Sequence, residues 1–100
     1  MAKKTSKNND LLFSARDKTN PKIYSLILDL VNNGMEIEAK EVLKIDYLLE
    51  YTSRCIKQRD LNDAKESLNS AITRINGLKV NGVDTSYLEY LYNGILKKLK

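Results

Sequence analysis

Apolar residues recur at helical spacing in four stretches of this chain, and polar or turn-forming residues separate them. The first stretch follows Asn20-Pro21. This pair suits a helix N-terminus, because asparagine caps well and proline lacks an N–H that the first turn does not use. The apolar side chains of this stretch cover about 200° of a helical wheel, which predicts a helix that is central or also faces a second chain.

Every glycine in the chain follows an asparagine, and both residues tolerate a left-handed backbone. The four pairs are Asn33-Gly34, Asn76-Gly77, Asn81-Gly82 and Asn93-Gly94. An Asn-Gly pair is typical of a helix C-terminus or a tight turn. We therefore expect helices to end at these pairs, with Met35 packing back on Leu30 after the first and a turn over residues 79–83.

Three further helices are expected after the first. Residues 35–59 contain no Gly or Pro and predict one long helix or two shorter ones. The next helix should begin with Asp60 as its cap and end at Gly77, with a narrow apolar stripe that packs on one side only. The last helix should begin near Ser86 and either kink or end at Gly94, since glycine disfavours a helix interior.

The start of the last helix has two candidate caps. Ser86 followed by Glu89 fits a capping box, in which each side chain bonds the other residue's backbone N–H. Asp84 is a competing N-cap, because a carboxylate also accepts hydrogen bonds from the first N–H groups of a helix.

These elements predict an all-α fold, a small bundle of three to four helices. The polar residues 1–9 should form a disordered basic tail, and residues 10–100 a single helical domain. No run of apolar residues is long enough to span a membrane. The lone Cys55 cannot form an internal disulfide, and no apolar segment follows the basic N-terminus as in a secretory signal. Together these features favour the cytoplasm.

The net charge of +4 is concentrated at the two ends of the chain. Residues 1–22 carry six basic and two acidic side chains, and residues 85–100 carry three basic and one acidic. Residues 23–60 carry five basic and seven acidic side chains. Basic ends can bind polyanions through phosphate contacts, or can serve only to keep a small protein soluble.

Residue types needed for catalysis are scarce. The chain has no histidine, which removes the commonest general base and the commonest zinc ligand. Cys55 shares an apolar stripe with Leu48 and Tyr51, so we expect it in the core rather than as a nucleophile. Asp60 and Asp63 resemble the start of a calcium loop that later lacks its glycine and glutamate. We therefore expect no enzyme, no catalytic residue, no cofactor and no metal site.

The segment from Asp60 to Ile75 resembles the second helix of a tetratricopeptide repeat, because Ala64, Leu68 and Ala71 have that family's alanine–large–alanine spacing. No second copy of the unit follows, and Asn76 stands where the repeat ends in proline. We interpret this segment as one half of a generic antiparallel helix pair.

Residues 23–59 resemble the start of a helix-turn-helix DNA-binding unit, with the turn over 45–48 and a recognition helix ending at Arg59. The turn lacks the glycine that is usual there. This resemblance implies a DNA- or RNA-binding protein with a degenerate helix-turn-helix and basic tails. The candidate nucleic-acid contacts are Lys3, Lys4, Lys7, Arg54, Lys57, Arg59, Lys97 and Lys98.

A second set of residues suggests binding to protein. Exposed tyrosine is enriched at protein interfaces because it buries a large area at low entropic cost. A short apolar patch near the N-terminus could either cover the core or dock on a partner. The candidate interface residues are Leu11, Leu12, Phe13, Tyr87, Tyr90 and Leu96.

The sequence thus favours a non-catalytic helical binding or regulatory module. It would dock on a protein partner, or associate with itself as a homo-oligomer, through apolar surface that a small bundle cannot hide. Its small size and its Lys-, Asn-, Ile- and Leu-rich composition fit an accessory protein of a bacterium, phage or plasmid. Nucleic-acid binding is the alternative.

Overall fold

Four α-helices account for most of residues 20–99, which are the residues that the computed structural model describes. They are α1 (Pro21–Asn32), α2 (Glu36–Lys57), α3 (Leu61–Val80) and α4 (Ser86–Leu99). Within this range no strand is present. The predicted all-α class with three to four helices is confirmed, whereas the tail predicted over 1–9 lies outside the described residues.

The described residues fall into two compact units, one ending at Leu43 and the other beginning at Lys44, inside α2. The single domain expected over 10–100 stays a prediction. Residues 35–59 contain one continuous helix, α2, which passes without interruption through 45–48. The helix-turn-helix geometry is therefore wrong, because the predicted turn is helical and no separate recognition helix exists.

Helix α1, in the first unit, begins as its sequence predicts. The side-chain oxygen of Asn20 accepts a hydrogen bond from the backbone N–H of Ile23 at 2.9 Å, and Pro21 occupies the first turn. Ile23 and Ile27 are fully buried, whereas Leu26 and Leu28 are half-buried. The apolar arc of α1 is thus only partly covered in this structure.

The end of α1 is a Schellman turn built on Gly34. Gly34 has φ 76°, and the N–H of Met35 donates to the carbonyl of Leu30 at 2.8 Å. The N–H of Gly34 donates to the carbonyl of Val31 at 3.1 Å. These bonds satisfy carbonyls that the last helical turn leaves open. The predicted helix end is confirmed, whereas the packing of the Met35 side chain on Leu30 stays a prediction.

The turn that follows α2 is built on a residue that the sequence does not mark as a turn former. Arg59 has φ 62°, so it occupies the left-handed region that normally favours glycine. The N–H of Asp60 donates to the carbonyl of Cys55 at 2.8 Å, and the N–H of Arg59 donates to the carbonyl of Ile56 at 3.0 Å. This is again a Schellman turn. Asp60 precedes α3 as predicted, but its side chain makes no capping hydrogen bond.

In the second unit, α2 and α3 meet at a buried pair of hydroxyl groups. The Oγ atoms of Thr52 and Ser67 lie 2.6 Å apart, and Thr52 also donates to the carbonyl of Leu48 at 2.8 Å. Ala64 and Ala71, one turn on either side of Ser67, are fully buried. Small side chains on this stripe of α3 allow the two helix backbones to approach closely.

Helix α3 does not end at Gly77, and the prediction of a turn over 79–83 is wrong in its first half. The helix continues to Val80 and ends at Asn81-Gly82, where Gly82 has φ 83°. Leu78 is only 3% exposed, because the helical spacing of Ile75 and Leu78 continues the buried stripe beyond the glycine. Burial of Leu78 outweighs the glycine penalty of roughly 1 kcal/mol.

Helix α4 runs antiparallel to α3. Lys79 Nζ lies 3.7 Å from Glu89 Oε1 near the connection, and at the other end Leu68 and Leu96 line one groove. Helices α2 and α3 are joined by a short turn and meet at Thr52 and Ser67, so α3 is antiparallel to the last part of α2 and α4 runs parallel to it. The C-terminal ends of α2 and α4 therefore lie at the same end of the second unit as the start of α3.

Candidate docking surface on helix α4

The start of α4 is fixed by a hydrogen-bond network that differs from the predicted capping box. Thr85 Oγ1 donates to Glu89 Oε2 at 2.5 Å, and the N–H of Glu89 donates to the carbonyl of Thr85. Asp84 Oδ1 accepts from both the N–H and the hydroxyl of Ser86, and these two bonds lower the pKa of Asp84. Thr85, rather than Ser86, is thus the partner of Glu89. Thr85 also occupies the N-cap position, because its carbonyl accepts the first helical hydrogen bond, so the predictions of Ser86 and of Asp84 as the cap are both wrong.

Beyond its first turn, α4 is incompletely covered. Leu88 is fully buried, but the later apolar residues of α4 are all half-buried. They are Leu91, Tyr92, Ile95, Leu96 and Leu99. Gly94 does not interrupt the helix, so these side chains form one continuous apolar side on an unbroken helix. An apolar side left half-covered in a domain of this size is the feature that a docking surface needs.

A groove of about 460 Å³ follows one flank of α4. We call it the Tyr90 groove, and its lining residues are Ser53, Tyr90, Leu91, Asn93, Gly94, Ile95, Lys97 and Lys98. Ser53 belongs to α2 and forms the opposite wall. Tyr90 is 71% exposed, and its ring stacks on that of Tyr87 with the centroids 6.1 Å apart. The groove thus combines an aliphatic floor, one exposed aromatic ring and two lysines.

A second groove, of about 410 Å³, lies between α3 and α4 on the other flank. Its lining residues are Lys65, Leu68, Asn69, Tyr92, Leu96 and Leu99. Leu68 is almost fully buried at its base, whereas Leu96 and Leu99 are half-buried along its side. Apolar surface therefore borders α4 on both flanks.

The charged groups at this end of the second unit follow the helix dipoles. Arg54 and Lys57 lie in the last turn of α2, and Lys97 and Lys98 in the last turn of α4, where cations are favoured. Asp63 lies in the first turn of α3, where anions are favoured. Cations and anions therefore share this end, but the charged residues that line the two α4 grooves are, within the described range, all cations.

An acidic cavity of about 270 Å³ lies on the α2–α3 side of the same unit. A hydrogen bond with Asp60 and the charge of that residue raise the pKa of Asp63. A hydrogen bond with the buried Cys55 is the main cause that raises the pKa of Tyr51. Within residues 20–99, no cluster of three His, Cys, Asp or Glu side chains could hold a metal ion.

Asp46, on α2, is the most perturbed carboxyl group of the second unit. Partial burial, and secondarily the charge of Glu50 one turn later, raise the pKa of Asp46 to about 6. The neighbouring Tyr47 is 58% exposed and stacks on Tyr51 with the ring centroids 6.4 Å apart. The charged form of Asp46 therefore opposes folding.

The structure brings part of the predicted site residues together. Tyr90, Lys97 and Lys98 line one groove, and Tyr87 adjoins it through its stack on Tyr90. Leu96 lies in the second groove. The remaining described cations lie at the end of α2 and in the turn that follows it, and all three are exposed; they are Arg54, Lys57 and Arg59. Six candidates lie outside the described residues: Lys3, Lys4, Lys7, Leu11, Leu12 and Phe13.

Sequence reasoning misses three kinds of residue in these grooves. Leu91 and Ile95 share the apolar face of the last helix with Leu88, which indicates the core. A helical wheel cannot show that such a face is only partly covered. Ser53 forms a wall, but nothing in the sequence links it to α4. The kink or helix end predicted at Gly94 is wrong, because α4 continues through it. The apolar spacing continues to Leu99 and is the signal that indicates a continuous helix.

Comparison of the chain with protein-family models, with curated proteins and with solved structures gave no match. Among the helices of residues 20–99, none is long and apolar enough to cross a membrane. The physical properties of the surface are therefore the basis for a functional proposal.

Proposed function

We propose that this chain is a non-catalytic helical module that docks on a protein partner through the side of α4. The observation that carries the proposal is the contrast along α4: Leu88 is fully buried, and five later apolar side chains stay partly exposed. Covering those side chains would remove apolar area from water, which is the main driving force of protein association.

The shape of the surface supports a helical or extended peptide segment as the group that binds. The two grooves flank a continuous helix, and an amphipathic helix commonly binds in such a groove through side chains spaced at i, i+3 or i+4, and i+7. Tyr90 provides an exposed aromatic ring at low entropic cost, which is typical of binding hot spots.

A displayed library of random peptides would test this proposal even though the partner is unidentified. Peptides selected on the full chain should lose binding to the Tyr90→Ala or Leu96→Ala variant. They should keep binding to Tyr47→Ala, because Tyr47 is a comparably exposed tyrosine outside the grooves. Selection of no peptide sensitive to Tyr90 or Leu96 would contradict docking on α4.

Nucleic-acid binding is the second candidate function. It is favoured by one observation: Lys97 and Lys98 line the groove that Ser53 closes, and Lys57 lies one turn after Ser53 on α2. Such binding should weaken steeply with salt, because each neutralised phosphate releases condensed counterions. A duplex or single-stranded oligonucleotide that binds with a steep salt dependence, and loses affinity in a Lys97→Glu variant, would favour this function.

A further inference from the structure

We propose that the Tyr90 groove binds an acidic amphipathic helix of a partner protein. This inference rests on the proposed docking function and adds the chemical character of the partner. The inference rests on the charge of the groove walls, on the apolar floor and on the absence of a side chain at Gly94 on the α4 side.

The charge of the groove selects an acidic partner. Lys97 and Lys98 line it, Lys57 lies one turn beyond Ser53 on the facing side of α2, and no described lining residue is acidic. Two carboxylates lie nearby: Glu50 is a turn before Ser53 on α2, and Glu89 precedes Tyr90 on α4 and lines an adjoining cavity. Both lie toward the end of the groove opposite the lysines. A partner helix with carboxylates at one end would complement the lysine end of the groove.

A second copy of this chain fits the groove poorly. It would bring an identical set of lysines to a surface that already carries them. Glu89, the one acidic residue of α4, is engaged by the Thr85 hydroxyl and lies 3.7 Å from Lys79. An isologous contact centred on the lysine end of α4 would therefore place like charges together.

The floor of the groove favours a helix over a nucleic acid. Leu91 and Ile95 are aliphatic and half-buried, so they can bury leucine-like side chains but offer no surface for base stacking. One face of the Tyr90 ring is already occupied by Tyr87. From Tyr90 to Lys98 the wall spans about 12 Å, or roughly two helical turns, which accommodates side chains at i, i+3 and i+7.

Gly94 determines how closely a partner can approach. It lies inside α4 in a helical conformation, and an added Cβ would meet no atom within 4 Å. The described fold therefore does not require glycine here, and alanine would favour the helix. With Tyr90 one turn before it and Lys97 and Lys98 one turn after, Gly94 leaves a gap in the wall over which another backbone can lie.

Gly77 is a matched control for this position. It too is an exposed, helical glycine with open space around its missing Cβ, but it lies on α3 and lines neither α4 groove. Substitution of either glycine by leucine should have a similar effect on the helix that carries it. Only Gly94→Leu should fill the Tyr90 groove.

The test uses the full chain and two fluorescent helical peptides of about 16 residues, long enough to form a marginal helix. Both carry leucine at i, i+3 and i+7; one has glutamate and the other lysine at its flanking positions. Fluorescence anisotropy should show the glutamate peptide binding about tenfold more tightly than the lysine peptide. Gly94→Leu should weaken the glutamate peptide about tenfold or more, with Gly77→Leu within about twofold of the original chain.

A Lys97→Glu, Lys98→Glu double variant should reverse the preference between the two peptides. Equal affinity of both peptides, or equal effects of Gly94→Leu and Gly77→Leu, would overturn the inference. So would a thymidine oligonucleotide that competes for the groove, or dimerisation in light scattering that Gly94→Leu abolishes. If library peptides bind at Tyr90 with no charge preference, this inference fails while the proposed docking function stands.

Discussion

The left-handed backbone of Arg59 makes the Arg59→Gly substitution a sharp test of how α2 ends. Arg59 has φ 62° and is exposed, and among the described residues no ion pair holds its side chain. A left-handed conformation costs an L-residue about 1–2 kcal/mol, and glycine avoids this steric cost. Glycine also makes the unfolded chain more flexible, which offsets about 0.4–1 kcal/mol of the gain.

The net expectation is that Arg59→Gly raises the free energy of unfolding by about 0.5–1 kcal/mol. For a chain of this size the corresponding rise in Tm is about 2–8 °C. Urea unfolding followed by circular dichroism measures the change as a shift of the midpoint at constant slope. Arg59→Ala is the control, because it removes the guanidinium but keeps the Cβ.

Two results would contradict a steric cost at Arg59: an unchanged free energy of unfolding in Arg59→Gly, or an equal stabilisation by Arg59→Ala. Either result would mean that backbone strain at this turn is negligible, and that the Schellman bonds from Asp60 to Cys55 alone set the helix end.

Three further substitutions test other parts of the second unit. Asp46→Asn should stabilise the chain at pH 7.5 but not at pH 4. The pKa of Asp46 is about 6 in the folded state, above its value in the unfolded chain, so the charge of Asp46 opposes folding only at the higher pH. Thr52→Val should lower the free energy of unfolding by about 1 kcal/mol, because the buried Ser67 hydroxyl loses the Thr52 oxygen and keeps only the carbonyl of Ala64. Gly82→Ala should destabilise by about 1 kcal/mol, since φ is 83° there, whereas Gly77→Ala should stabilise by up to about 1 kcal/mol.

Each of these expectations has a contradicting result. A gap in Tm between the original chain and Asp46→Asn that does not change with pH would disprove the role of its charge. Thr73 is an exposed threonine whose hydroxyl donates to the carbonyl four residues earlier, as that of Thr52 does. An equal loss of unfolding free energy in Thr73→Val would show that the buried Thr52–Ser67 bond adds no stability. Changes in the free energy of unfolding that have the same sign in Gly77→Ala and Gly82→Ala would contradict an α3 that passes through Gly77 and ends at Gly82.

The glycine pairs show which parts of the fold the sequence predicts. Asn33-Gly34 and Asn81-Gly82 end helices because the buried apolar spacing stops there. Asn76-Gly77 does not, because Leu78 continues the spacing of Ile75 and is buried. The apolar pattern, rather than the dipeptide, decides the outcome at each pair. The turn at Arg59 could not be predicted, because arginine has no preference for a left-handed backbone.

The sequence predicts only the part of the candidate site that α4 contributes. A helical wheel places Tyr90 away from the apolar face, and its exposure in the structure agrees. The wall formed by Ser53 depends on how α2 and α4 lie in the second unit, which spacing along either helix cannot show. The partial exposure of Leu91 and Ile95 likewise follows from how much surface the neighbouring helices leave uncovered.

The most direct test of docking on α4 is an amide chemical-shift map of the full chain, recorded as the tightest library-selected peptide is added. Our account predicts shifts concentrated at residues 90–98 and 53–57, with little change along the exposed side of α3 that carries Thr73 and Gly77. Shifts concentrated on α1 or on that exposed side of α3, with residues 90–98 unaffected, would contradict the proposal that α4 forms the docking surface.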